Sequence, residues 1–248
     1  MGQLTESNRA FFVTGTDTEI GKTFISKGLL LALNEKGYST AAYKPIAAGC
    51  DKTIDGLRNE DALILQQYAS IELQYEEVNP IAFEAPIAPH LALKANAGED
   101  DVHFISIDKI REGFVHLVQK EANVIVIEGA GGWRLPLGGS YQGRARYLSE
   151  FVAAQNLSVI LVVGMRLGCL NHAVLTAEAI RNDGLKIAGW VANQIDSNMA
   201  LIDENIDSLK SLIDAPFLGN VPRLADPEHA GKYLDLQALG FRQHELTD

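Results

Sequence analysis

The densest chemistry in the chain lies in Gly15-Thr16-Asp17-Thr18-Glu19-Ile20-Gly21-Lys22-Thr23. We read it as a phosphate-binding loop, the pattern in which a glycine and four free positions precede Gly-Lys-Thr. Such a loop turns successive backbone N–H groups and the positive end of a helix dipole into one concavity. Lys22 would neutralise the β- and γ-phosphates of a nucleoside triphosphate, and the Thr23 hydroxyl would ligate Mg²⁺. Ala10 to Thr14 reads as the buried strand before the loop, and Thr23 to Glu35 as the helix after it. A second lysine, Lys44, ends an apolar run at Tyr43 and precedes Pro45, which biases it toward an extended backbone. Glu128 ends the apolar run Val124 to Ile127 and is followed by Gly129-Ala130-Gly131-Gly132. An acid at a strand tip suits a hard cation, and the glycines let backbone approach a phosphate. Asp61 is either a second acid near the metal or a first-turn carboxylate favoured by its helix dipole. Two lysines and Mg²⁺ converging on one point suit phosphoryl transfer to an anionic acceptor.

These residues need elements to position them, and the pattern supplies strands alternating with helices. Ser39 to Tyr43, Val124 to Ile127, Val159 to Val163, Ile187 to Ala192 and Phe217 to Val221 read as further strands. Asn79 to Phe83 is a weaker candidate, because Pro80 cannot donate to a ladder. Asp61 to Ala69 reads as a helix. Ile107, Ile110, Phe114, Leu117 and Val118 fall on one helical face, as do Ala173, Val174, Ala177 and Ile180. Ile202, Ile206, Leu209, Leu212 and Ile213 line another. Pro86 and Pro89 mark an irregular loop that continues through Asn96 to Asp101. Continuous β-branched runs between amphipathic helices mean a mostly parallel sheet covered on both faces. The expectation is one α/β domain over residues 1–248 with about seven strands, binding ligands at the strands' carboxyl ends.

The composition narrows the function classes. A net charge of −11 argues against non-specific nucleic-acid binding, which needs a basic face. The apolar runs are too short to span a bilayer, and Met1 to Arg9 lacks the apolar core of a secretory signal. Cys50 and Cys169 are too few for a disulfide framework and read as reduced thiols of a cytoplasmic protein.

The phosphate loop, Tyr43-Lys44-Pro45, Gly56-Leu57-Arg58-Asn59 with Asp61, and Glu128-Gly129-Ala130-Gly131-Gly132-Trp133 occur in that order. Gly168-Cys169-Leu170-Asn171-His172 and Gly189-Trp190-Val191-Ala192-Asn193 follow. The ordered set, from Phe11 to about Leu234, resembles the dethiobiotin synthetases, enzymes of the P-loop NTPase superfamily. The resemblance implies an ATP- and Mg²⁺-dependent ligase of biotin biosynthesis, acting as a homodimer. Its reaction would join 7,8-diaminononanoate and CO₂ through a phosphorylated carbamate, giving dethiobiotin, ADP and phosphate. It implies Lys44 and Lys22 as catalytic lysines, and Thr23, Asp61 and Glu128 as Mg²⁺ ligands. Glu19, Ile20, Gly21, Lys22, Thr23 and Phe24, with Glu128, Gly129, Ala130 and Gly131, would hold the phosphates. Asn193, Gln194, Pro222, Arg223, Leu224 and Glu228 would meet the adenine and ribose. Lys44, Ala48 and the loop Gly168, Cys169, Leu170 and Asn171 would meet the substrate, the loop serving a neighbouring subunit.

Two positions depart from the family's habit. Ala48 stands where many members have a hydroxyl that touches substrate, and Asn205 falls about where well-known members have tyrosine. Two rival readings stay open: a relative acting on another diamine, and a non-catalytic nucleotide switch. The switch would want a lysine near the start of the loop, where this chain has Thr16 and Asp17.

Overall fold

The computed structural model describes residues 9–96, 104–141, 144–223 and 227–242. In chain order it begins with β1 (Arg9–Gly15), α1 (Lys22–Glu35), β2 (Thr40–Tyr43) and β3 (Ile46–Ala48). A short hairpin, β4 (Asp51–Thr53) and β5 (Gly56–Arg58), leads into α2 (Glu60–Tyr68), α3 (Tyr75–Val78) and β6 (Ile81–Phe83). Then come α4 (Pro89–Asn96), α5 (Ile107–Val118), β7 (Val124–Gly132), β8 (Pro136–Tyr141), β9 (Arg144–Tyr147) and α6 (Leu148–Ala154). The last third alternates: β10 (Ser158–Gly164), α7 (Cys169–Asn182), β11 (Ile187–Asn193), α8 (Ile202–Leu212) and β12 (Phe217–Val221).

Six strands form one parallel sheet in the order β12-β11-β10-β1-β7-β2. Successive residues of a strand face opposite sides, and here both sides are core. Ala10 and Phe12 pack with Ala41, Tyr43, Ile125 and Ile127 on one face. Phe11 and Val13 pack with Ala42, Val126, Ile160 and the α1 residues Ile25, Leu29 and Leu33 on the other. That is why these strands carry continuous apolar runs instead of alternating. The weak candidate near Phe83 is a strand, but outside this sheet: β6 pairs only with β3. Pro80 precedes its first residue, where a missing N–H costs no ladder bond.

Amphipathic spacing placed the helices well. In α5, Ile110, Phe114, Leu117 and Val118 are buried, and the Ser106 side chain caps the start by accepting from the Lys109 N–H. The proline-marked stretch differs from expectation, because Pro89 opens α4. Proline suits the first turn of a helix, where its missing N–H has no partner to lose. Asn96 closes that helix, and residues 97–101 of the expected loop lie outside the described residues. The order of connections reverses at β1: the chain leaves it toward β2 on one side, and later returns across it from β7 to β10. Ligand crevices of open α/β sheets lie at such a reversal, outside the carboxyl ends of the strands.

Candidate active site

The phosphate loop joins β1 to α1 beneath that crevice. Its glycine spacing differs from the four-position pattern expected from the sequence. Five positions, Thr16 to Ile20, separate Gly15 from Gly21, so Thr16 stands where the common pattern has its first glycine. Gly15 is instead the last residue of β1, where a Cβ would meet the Ile20 side chain at 2.6 Å. Gly21 caps α1 with φ of 84°, a left-handed conformation that costs glycine little. A Cβ there would also lie 2.2 Å from the Asn193 amide. Lys22 is buried, and its Nζ donates to the Asp17 carbonyl at 3.0 Å.

Lys44 and Glu128 meet because of strand register. β2 and β7 pair Tyr43 with Ile127, so the next residues stand side by side at the carboxyl edge. The Lys44 backbone is held from both sides: its N–H donates to Val78 at 2.8 Å and its carbonyl accepts from Asn79 Nδ2 at 2.6 Å. Its Nζ then donates to Glu128 Oε1 at 2.5 Å and to Asp61 Oδ2 at 2.9 Å. Asn59 caps α2 through the Ala62 N–H, which places Asp61 in the first turn, facing Lys44. Asp61 is a first-turn acid of α2, and its carboxylate also accepts from Lys44. Thr23 Oγ1 donates to Glu128 Oε1 at 2.9 Å.

Burial sets the electrostatics. It pushes Lys22 down to about 8, with the positive charge of Lys44 acting the same way and the carboxylate of Glu128 opposing. Burial also works to lower Lys44, but Glu128 and Asp61 outweigh it and hold its pKa above the usual lysine value. Burial would raise Asp61, yet Lys44 and the Thr23 hydroxyl bring it below the ordinary carboxylate range. The second oxygen of Glu128, Oε2, is buried with no hydrogen-bond partner. An orphaned carboxylate oxygen beside a threonine hydroxyl and a second acid fits a Mg²⁺ ligand set. Among the described residues no cluster of three or more His, Cys, Asp or Glu could cage a metal alone. Mg²⁺ rarely needs one, since it takes one or two carboxylates and completes its shell with water and phosphate oxygens.

These groups line a cleft of about 830 Å³. Glu19, Gly21, Lys22, Thr23 and Phe24 form its floor with Lys44, Ala48, Asp61, Glu128, Ala130 and Gly131. Sequence reasoning assigned no site role to Thr18, Ala47, Asn59, Leu135 or the Pro86-Ile87-Ala88-Pro89 wall that completes it. The paired prolines were the available signal, read only as a loop. Ile20 lies beneath the loop, fully buried, and a Cβ at Gly164 would meet it at 2.6 Å. Gly129 packs on Phe12 instead of lining the cleft.

The remaining predicted residues stand apart from the cleft lining. Asn193 donates through Nδ2 to the Ile20 carbonyl at 2.8 Å, and Gln194 bonds Asn220 at 3.0 Å. Pro222 and Arg223 follow β12, Arg223 exposed. Leu224 lies outside the described residues, as does the side chain of Glu228. Gly168 is the left-handed cap of α7, with Cys169, Leu170 and Asn171 in its first turn. Asn205 sits on α8, half-buried, its Nδ2 donating to the Leu201 carbonyl at 2.8 Å. Both cysteines are buried and free, and among the described residues no helix is long and apolar enough to cross a membrane.

A family model described as an AAA domain matches residues 9–230. Among solved structures, the MinC:MinD cell division complex of Aquifex aeolicus aligns with a TM-score of 0.55 at 13% identity, over 94% of each chain. A ParA family ATPase from Chlorobium tepidum aligns at 0.51 and 14%, over 96% of this chain and 95% of that one. At such identities the likeness speaks for the fold alone. Curated relatives are far nearer. The ATP-dependent dethiobiotin synthetase of Pseudomonas paraeruginosa is 51% identical over 94% of this chain and 98% of its own. That of Cellvibrio japonicus is 49% identical over the same shares. With about half its residues shared over nearly the full length of those enzymes, the chain belongs to the dethiobiotin synthetase family.

Proposed function

We propose that this chain closes the ureido ring of dethiobiotin from 7,8-diaminononanoate, CO₂ and ATP, releasing ADP and phosphate. The observation that carries the reading is Lys44: a buried ammonium bridging Glu128 and Asp61, in the same cleft as Lys22. A plain nucleotide site has no use for a second buried lysine there.

The reaction sets three tasks. An amine of the substrate attacks CO₂, loses a proton and becomes a carbamate, an anion that reverts easily. A carbamate oxygen then attacks the γ-phosphorus as the bond to the β-phosphate oxygen breaks and ADP leaves. Finally the second amine attacks the carbamoyl carbon, phosphate departs, and the ring closes. Lys44 is suited to hold the carbamate oxygens in line, which turns an encounter between two anions into a positioned step. Lys22 meets the charge that builds on the transferring phosphoryl group. Thr23, Asp61 and Glu128 would hold Mg²⁺, which supplies charge neutralisation on the phosphate oxygens when bound. Among the described residues no histidine lines the cleft; phosphate itself can carry away the proton of the ring-closing amine.

The reading extends to a homodimer in the cytoplasm, with ATP and small molecules as its ligands and no nucleic acid or membrane partner. The Gly168–Asn171 turn opens a 14-residue helix whose N-terminus can take a carboxylate, and the adjoining Leu167 is 96% exposed. A neighbour's substrate is a fitting ligand for it. Sedimentation at assay concentration is expected to show dimer; a fully active monomer would remove this part of the reading.

The decisive assay incubates the protein with Mg-ATP, bicarbonate and 7,8-diaminononanoate and looks by mass spectrometry for the cyclic urea. Its formation with stoichiometric ADP is expected. ATP hydrolysis without any urea, from this or a related diamine, would favour the nucleotide switch and sink the proposal.

A further inference from the structure

We infer that Arg166 is a positioning residue for ATP, acting through Asp17: it draws the phosphate loop's own carboxylate away from the incoming phosphates. This rests on the reading of residues 15–23 as the ATP phosphate site. A loop built to attract anions carries an aspartate at its third position, which is an electrostatic conflict. The loop partly satisfies that aspartate itself, since Asp17 Oδ1 accepts the Thr18 N–H at 2.8 Å. That donor is one of the backbone groups such a loop offers to phosphate. The other oxygen, Oδ2, is paired with Arg166 Nη2 across 149 residues of sequence.

Three features favour a role toward ATP over one in stability. Thr18, Glu19 and Lys22 line the cleft, whereas Asp17 and Arg166 do not, so the pair turns the carboxylate away from the cavity. The same residue also meets Lys22, because the Asp17 carbonyl accepts from the Lys22 Nζ. Displacement of Asp17 would therefore disturb the lysine expected to meet the phosphates. Finally, both side chains are more than 40% exposed, and a wet ion pair contributes little to folding. Its effect on a polyanion nearby is larger, since like charges add over every phosphate. Arg166 itself is well anchored. The neighbouring Met165 N–H donates to Asn193 at 2.8 Å, and the Arg166 carbonyl accepts from Cys169 at 3.0 Å.

The test is calorimetric titration of the full-length chain with Mg-ATP. Arg166→Gln is expected to weaken binding about fivefold, a gap that narrows as salt rises to about 0.5 M. Arg166→Lys, which keeps the charge, should stay within about twofold of the parent. Asp17→Asn in the Arg166→Gln background should restore affinity to within about twofold, because the repelling charge is gone. A double variant as weak as Arg166→Gln would overturn the inference, since Arg166 would then be touching nucleotide or holding the loop's shape. Lys22→Ala, run alongside, separates two failures. Lost binding there with parental binding in Arg166→Gln overturns the role of Arg166 alone. Parental binding in both overturns the nucleotide site, and the inference with it.

Discussion

The strand ends of β1, β7 and β2 and those of β10 and β11 lie along one edge of the same sheet, yet they behave differently. At the first group, Lys22, Thr23, Lys44, Asp61 and Glu128 come within hydrogen-bond reach of one another or line one cleft. At the second, Asn193 turns in to support the loop at Ile20, while Gly168 to Asn171 open a helix that does not line that cleft. The contrast separates two duties. On the proposed reading the charges of the first group act on one phosphoryl group, and tight pairing offsets their desolvation. On the same reading the second group would recognise a distant part of a ligand, and it can stand apart until the ligand, or a second copy of the chain, bridges the gap.

The largest effect expected from breaking the first group is at Lys44. Lys44→Ala should lower product formation about a hundredfold or more, a loss of about 3 kcal/mol in the transition state, with Mg-ATP affinity within a few-fold. Wild-type turnover in single-turnover quench experiments would remove Lys44 from the chemistry. Next come Lys22→Ala and Glu128→Ala, each expected to lower kcat/KM for ATP about tenfold or more by losing a phosphate or a metal contact. Normal Mg-ATP affinity together with normal turnover in either variant would mean the nucleotide site lies elsewhere.

A smaller effect sharpens the comparison from beneath the cluster. Glu77 starts α3, the helix whose end holds the Lys44 backbone, by accepting the Gln74 N–H at 2.7 Å. Burial would raise its pKa, but hydrogen bonds from Lys120, the Gln74 backbone and His116 bring it down to about 2 from an ordinary 4.5. A carboxylate depressed in the folded state stabilises above its unfolded pKa and loses that contribution as pH falls through the folded one. Glu77→Gln should therefore cost about 1 kcal/mol at neutral pH, a deficit that shrinks between pH 4.5 and about 2. Urea melts at pH 7 and pH 3 with equal deficits would show that the charge is not what matters.

The smallest effect belongs to Ala48, on the side of the cleft proposed to take the substrate. Ala48 lines it at the end of β3, with its carbonyl accepting from Asn59 Nδ2 at 3.4 Å. A hydroxyl added there offers one neutral hydrogen bond, about 0.5–1.5 kcal/mol. Ala48→Ser should thus lower the diamine KM about threefold with the ATP KM unchanged. An unchanged or raised diamine KM would show that the pocket has already found another partner.

Residues close in sequence were read correctly where local rules decide. The turn from β1 into α1 and the apolar face of α5 follow from short-range sterics and periodicity. The ordered motifs likewise placed the chain in its family. The seams of the reading lay where two local rules compete, as at Pro89, which punctuates a loop and also starts a helix.

What sequence by itself determined was therefore the set of elements and the kinds of groups at their ends. It also determined that both faces of the sheet are covered, because continuous apolar runs leave no side for water. Tertiary structure alone decided which ends meet. Lys44 finds Glu128 across 84 residues, Thr23 finds the same oxygen across 105, and Asp17 finds Arg166 across 149. Strand order and register set the first of these meetings, and they depend on how whole faces pack, which no single stretch encodes. A charge at a strand tip is solvated or catalytic according to its neighbours, and here the parallel pairing of β2 with β7 made Lys44 a buried partner of Glu128.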